Sequence, residues 1–260
     1  MKRILFSIII LSCFFATAPA QYSTLNAHSH NDYSNDIPFW LAYYSHFGSI
    51  EADIWAVNGE LLVAHDRSQI KPELTLDALY INPIVKLFRH NKGKAWYDFP
   101  GTFQLLIDLK TLAEPTLSIL AKKLGQYPDV FDLKVNPNGV MVVISGNRPE
   151  PSGFTSYPEF ILYDGLLNGN YNQKQLERVP LFSENLAVFT KWRGEGEMPA
   201  ADKSRLVHVI DSVHDLKRKI RFWNAPDGEN AWKTFEGLGV DFINTDRVNE
   251  LAGFLNNKNK

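Results

Sequence analysis

Cysteine is nearly absent. The single one, Cys13, falls inside an N-terminal apolar run, so thiol catalysis and a disulfide framework are excluded together for the chain that follows. A basic excess is absent as well. With 27 basic against 29 acidic residues and no stripe of Lys or Arg, the balance opposes binding to a nucleic-acid backbone. No later apolar run reaches the ~20 residues of a membrane span. A glycine-rich phosphate turn is also missing from the place a dinucleotide fold would put it; Ala27-His28-Ser29-His30-Asn31-Asp32-Tyr33 stands there instead. No repeat, domain boundary or low-complexity segment precedes the Asn256-Asn257-Lys258-Asn259-Lys260 tail. What is there is an ordinary globular composition, 45% hydrophobic and 22% charged over 260 residues, enough for one sizeable core.

Met1 to Ala20 reads as an export signal: Lys2-Arg3, the apolar run Ile4 to Ala16, then the small-residue site Ala18-Pro19-Ala20. One domain is expected over 21–260, with 25 basic against 29 acidic residues once Lys2 and Arg3 are removed. The expected location is the periplasm or the exterior. Ile10-Leu11-Ser12-Cys13 also resembles a lipoprotein box, although that leader is very short and apolar Phe14-Phe15-Ala16 would follow the lipidated cysteine.

From Ser23 onward, short apolar runs alternate with helix-like stretches. Strands are expected near Thr24 to His28, Ile50 to Ile54, Phe103 to Asp108, Val140 to Ser145, Phe160 to Tyr163, Val179 to Phe182, Ile220 to Trp223 and Asp241 to Asn244. Helices are expected near Pro38 to Phe47, Pro83 to His90, Glu114 to Leu124, Gln173 to Glu177, Ala201 to Lys217, Glu229 to Leu238 and Asp246 to Leu255. Repeated strand–helix alternation of this length predicts an α/β fold, a single (β/α)₈ TIM barrel. A doubly wound open sheet is the competing fold; it would have fewer strands.

The stretch that carries most chemistry runs from Ile50 to Asp66. Glu51 and Asp53 interrupt a β-prone run at i and i+2, so a strand points both to one face about 7 Å apart. Two buried carboxylates need a cation, a base or water, because an unpaired one costs several kcal/mol. A divalent metal is the economical solution. Asn58-Gly59 then signals a two-residue type I′ hairpin, placing Val57 opposite Glu60 and Asp53 opposite Ala64. The turn thus returns His65 to the carboxylates, although a strict ladder would aim it at the opposite face.

The remaining polar residues follow predicted strands: His28 and His30, Asp108 and Lys110, Lys191 and Arg193, Trp223 and Asn224. In a barrel all of these fall at the carboxyl face, where active sites are built. His46, His90, His208 and His214 read as structural residues on helices or helix ends. Asp246 reads as a helix cap or an ion-pair partner near Arg247.

These residues resemble the glycerophosphodiester phosphodiesterase and phosphatidylinositol phospholipase C-like barrels. The matching pieces are a histidine ending strand one, Glu51-Ala52-Asp53, His65, Leu105-Leu106-Ile107-Asp108-Leu109-Lys110, Arg221-Phe222-Trp223-Asn224, and Gly239-Val240-Asp241-Phe242-Ile243-Asn244-Thr245-Asp246. His-Asn-Asp-Tyr, beginning at His30, looks like the signature of an uncharacterised branch. The resemblance implies a metal-dependent phosphoric diester hydrolase in which Glu51, Asp53 and Asp108 hold one Mg²⁺ or Ca²⁺. His30 and His65 would be the general acid and base, with His30 preferred over His28. Lys110 would offset phosphate charge, His28 and Asn31 would support the site or bind phosphate, and Trp223 would wall the pocket. An arginine commonly follows the first histidine in this family; here Ser29 or Asn31 stands in that place. The expected substrate is a small-molecule or lipid-headgroup phosphodiester, a soluble one first, with transient membrane contact and no nucleic acid.

Two other classes stay open. His28-x-His30 also resembles the histidine pair of metal-dependent amidohydrolases, which would bind zinc; no later strand end carries a histidine to complete that set. A catalytically inactive barrel binding a headgroup or sugar is the third reading.

Overall fold

A computed structural model describes residues 22–257. The expected leader Met1–Ala20, with Cys13, lies outside the described residues. Eight parallel strands and their helices form a nearly closed barrel, the TIM architecture expected from the alternation. The strands are β1 (Ala27–Ser29), β2 (Ser49–Val57), β3 (Glu60–Val63), β4 (Gln104–Leu109), β5 (Met141–Gly146), β6 (Ile161–Gly165), β7 (Leu181–Asn185), β8 (Lys219–Trp223) and β9 (Ile243–Thr245). β3 stands apart as the antiparallel hairpin partner of β2. β1 pairs with both β2 and β9, and the last seam, between β8 and β9, is closed by one bridge between Arg221 and Phe242.

The period-2 alternation of each strand sorts its residues between two compartments. Ile50, Ala52 and Ile54 of β2, Leu105, Ile107 and Leu109 of β4, and Val142 and Ile144 of β5 face the helices and join the main core. The residues between them face the barrel axis. Leu106, Leu181 and Phe242 make a small separate apolar cluster there. Ser49, Glu51, Asp53, Asp108, Ser145, Ser183 and Arg221 alternate with the outward-facing set, so the upper interior is polar. Register locks the key pair: Asp53 lies directly opposite Asp108 across β2 and β4.

The hairpin behaves as its turn residues require. Asn58 and Gly59 adopt positive φ (51° and 84°), the two left-handed positions of a type I′ turn, and Val57 pairs with Glu60. Several expected element ends shift, two of them beside the first strand. Thr24–Asn26 is a 3₁₀ turn capped by Ser23 rather than the start of the first strand, and the first helix shortens to Trp40–Tyr44. Among the described residues no helix is long and apolar enough to cross a membrane.

Candidate active site

The site is built around Asp53. Glu51, Asp53 and Asp108 each offer a carboxylate oxygen within 4.8 Å of the others, the one group of three or more such side chains among the described residues. Asp53 is fully buried, and its donors crowd one oxygen. Tyr33 Oη lies at 2.7 Å, Lys110 Nζ at 2.8 Å and His65 Nδ1 at 3.1 Å, all on Oδ2. Oδ1 is buried without a partner. A bare buried carboxylate oxygen beside two further carboxylates suits a hard cation with oxygen ligands, so the residues present fit a divalent ion. Burial, then the neighbouring Glu51, pushes the Asp53 carboxyl above its ordinary range despite Lys110. Lys110 also donates to Asp108 Oδ1 at 3.0 Å, and those carboxylates raise its own pKa against the opposing effect of burial.

Glu51 is held from below. Gln104 Nε2 donates to Ser49 Oγ (2.9 Å), Ser49 Oγ lies 2.6 Å from His28 Nδ1, and His28 Nε2 lies 2.6 Å from Glu51 Oε2. Arg221 Nη1 donates to the same Glu51 oxygen at 2.7 Å and to Asn244 Oδ1 at 3.2 Å, while its Nε donates to Ser183 Oγ. Burial, reinforced by Arg221, drives the His28 pKa down to about 3, so its ring is neutral. Burial alone would raise Glu51, but Arg221 and the His28 bond hold it well below the carboxylate range. His28 is thus a fully buried brace for Glu51 and not part of the cavity lining.

His30 takes a different direction. Its backbone N–H donates to Thr245 O (3.0 Å), continuing the β1–β9 ladder, and its Nδ1 lies 2.7 Å from Asp246 Oδ1. Asp246, expected as a helix cap or a partner near Arg247, thus pairs with His30. Burial lowers the His30 pKa, but the Asp246 carboxylate outweighs it and the net shift is upward. His65 reaches Asp53 because the chain leaves the ladder after Val63. Ala64 N still donates to Asp53 O at 3.3 Å, whereas His65 is free of strand geometry and swings to the face that strict alternation denies it.

The loop after β1 explains the His-Asn-Asp-Tyr signature residue by residue. Asn31 takes a left-handed conformation (φ 45°), which Asn tolerates better than most residues. Asp32 is fully buried and accepts from Phe39 N (2.6 Å), Ser29 Oγ (2.7 Å) and Tyr80 Oη (3.0 Å), although burial pushes its pKa up to about 6. Tyr33 Oη lies 2.7 Å from both Asp53 Oδ2 and Asn31 Oδ1. Replacing Asp32 by Ala should leave three donors without their acceptor. A loss of roughly 2–4 kcal/mol in urea unfolding is expected, since each stranded buried donor costs about 1–3 kcal/mol before relaxation. An unchanged midpoint would remove Asp32 as the anchor of this loop.

His30, His65, Glu51, Asp108, Lys110, Asn31 and Trp223 line one cavity of about 390 Å³ at the carboxyl ends of the strands. Trp223 stands half-exposed at its rim. Ser145, Arg148, Asp164, Ser183 and Arg221 line it too, residues to which the sequence reading gave no role. Asp164 is buried, has one unpartnered oxygen, and is raised to about 6 by burial. Lys191 and Arg193, expected at the mouth, are not among the lining residues. His28 and His30 point to separate carboxylates, Glu51 and Asp246, so they do not form the shared zinc pair of the amidohydrolase reading.

Residues 18–150, just over half of the chain, match the family of AIM6-like phosphodiesterase domains. Altered inheritance of mitochondria protein 6 from Eremothecium gossypii is 28% identical over 87% of this chain and 68% of its own length. The homolog from Arthroderma benhamiae is 26% identical over 88% of this chain and 83% of its own. Among solved structures, a glycerophosphodiester phosphodiesterase from Parabacteroides distasonis shares the fold, with a TM-score of 0.52 at 17% identity over 90% of this chain and 97% of that one. These relatives correct one expectation. Their names tie them to mitochondrial inheritance and not to export, so the periplasmic or secreted location read from Met1–Ala20 is withdrawn, and the lipid anchor considered at Cys13 lies outside the described residues.

Proposed function

Because the chain belongs to the AIM6-like phosphodiesterase family, we propose that it is a metal-dependent phosphoric diester hydrolase acting on a small-molecule or lipid-headgroup diester. The observation that carries this reading is the buried, unpartnered Oδ1 of Asp53 beside Glu51 and Asp108, two carboxylates that line one cavity with His30 and His65. Glu51, Asp53 and Asp108 would hold one Mg²⁺ or Ca²⁺. When bound, that ion supplies a Lewis acid for the phosphoryl oxygens.

Diester cleavage needs a proton taken from the attacking hydroxyl and one returned to the leaving oxygen, and imidazoles titrate in the working range. His30 and His65 fill those roles. Asp246 fixes the His30 ring through Nδ1, leaving Nε2 as its working nitrogen. Asp53 and Tyr33 fix His65, whose Nδ1 they face. Lys110 places positive charge beside the carboxylates, and Trp223 walls the opening. His28 serves by holding Glu51 as a neutral brace.

Metal-stripped protein should hydrolyse bis(p-nitrophenyl) phosphate and glycerophosphocholine poorly, and Mg²⁺ or Ca²⁺ should restore the rate on at least one of them. Restoration by Zn²⁺ alone would return the amidohydrolase reading. Silence with all three ions and no ion bound would favour a binding barrel over an enzyme.

A further inference from the structure

Three cationic side chains line the cavity, and two are committed to carboxylates. Lys110 Nζ sits between Asp53 (2.8 Å) and Asp108 (3.0 Å), and Arg221 lies 2.7 Å from Glu51. Arg148 is the third. Among the described residues no carboxylate forms an ion pair with it; its side chain makes one long hydrogen bond, 3.4 Å from Nη1 to Gly146 O. Burial raises the Asp164 pKa on balance; Arg221, and after it Arg148, pull against that rise.

A glycine delivers this arginine. Gly146 ends β5 with φ 67°, and a Cβ there would stand 2.6 Å from both Asp108 Oδ1 and Leu109 O. Only glycine lets the chain press so closely against Asp108. Asn147 N then donates to Leu109 O (2.9 Å) and Arg148 N to Gly146 O (2.8 Å), turning the segment over the cavity. Arg148 also lines an adjoining groove of about 570 Å³, so it stands where the cavity opens.

A phosphodiester is an anion, and this cavity is walled by Glu51, Asp108 and Asp164 with Asp53 behind them. The residue after His30 is the uncharged Asn31. A guanidinium with unspent donors in a planar fork matches two non-bridging phosphoryl oxygens. We propose that Arg148 binds those oxygens and so gives the site its affinity for a phosphate anion; this rests on the phosphodiesterase reading above.

Inorganic phosphate is the probe, because its binding is read without turnover. Calorimetric titration of wild type and Arg148→Gln, with Mg²⁺ and with EDTA, should show phosphate binding weakened roughly 10- to 100-fold in the variant, the scale of a charge-assisted hydrogen bond. Arg148→Lys should recover part of that affinity, keeping the charge and losing the fork. Thermal midpoint and Mg²⁺ affinity should match wild type, and hydrolysis of bis(p-nitrophenyl) phosphate should fall through KM more than through kcat. Equal phosphate affinity in wild type and Arg148→Gln overturns the assignment. A wild type that hydrolyses no diester, with phosphate binding still lost in Arg148→Gln, overturns the hydrolase reading and leaves the role of Arg148 standing.

Discussion

Replacing His30 by Ala is expected to lower kcat by roughly 10²–10⁴-fold, the usual size of a general acid or base contribution, while leaving the thermal midpoint close to wild type. The paired variant Asp246→Asn tests why this imidazole works. In the folded chain the 2.7 Å contact with Asp246 lifts the His30 pKa above its ordinary value even though burial pulls it down. Removing the carboxylate charge removes the larger part of the lift and leaves the pull of Glu51 alone against burial. The limb of the kcat/KM profile that belongs to His30 should therefore move to lower pH, whether His30 acts as base or acid. Stability should follow the same linkage. A raised imidazole contributes fully below the ordinary histidine value of about 6.5 and loses its contribution as pH rises through the raised one. Asp246→Asn should accordingly be less stable than wild type in acid and equal to it in alkali. A pH–rate profile that stays where wild type has it would remove Asp246 from the site.

How much of this was legible beforehand depended on distance along the chain. Glu51, Asp53 and His65 lie within one strand and its hairpin, where a period of two and an Asn-Gly turn suffice to bring them together. Asp108 joined them through the expected parallel pairing, and its register with Asp53 is the one a shared metal would need. Arg221 and Asp164 carried the same signal as Glu51, a charge inside an apolar strand: Ile220-Arg221-Phe222 and Leu162-Tyr163-Asp164. That signal gives the face of the strand but not the partner, because the partner is set by barrel closure. Asp246 meets His30 across 216 residues only because β9 closes on β1. His65 shows the opposite failure. Its side-chain direction follows from where the chain leaves the ladder, which strand alternation does not encode.

Arg221→Met should be the most destabilising single change in the barrel interior. It leaves the buried Glu51 carboxylate with His28 as its remaining close donor, in a site where Glu51 is 5% and Arg221 4% exposed. Removing one partner of a buried pair costs about 3–5 kcal/mol, a large share of the ~5–15 kcal/mol that holds a domain together. For a chain of this size the thermal midpoint should fall by roughly 10 °C. The pH dependence fixes the cause. Glu51 has a depressed pKa in the folded protein, so its contribution is present above the ordinary carboxylate range and lost as pH falls. Wild type and Arg221→Met should therefore converge in acid and separate near neutrality. Adding Glu51→Gln to Arg221→Met removes the stranded charge and should recover much of the loss. The same pair separates brace from ligand. If Glu51 also holds a divalent ion, Mg²⁺ should raise the midpoint of Arg221→Met more than that of the double variant, because the ion supplies the charge that Arg221 no longer does. Equal Mg²⁺ responses would confine Glu51 to the buried ion pair, leaving Asp53 and Asp108 as the metal's only carboxylates.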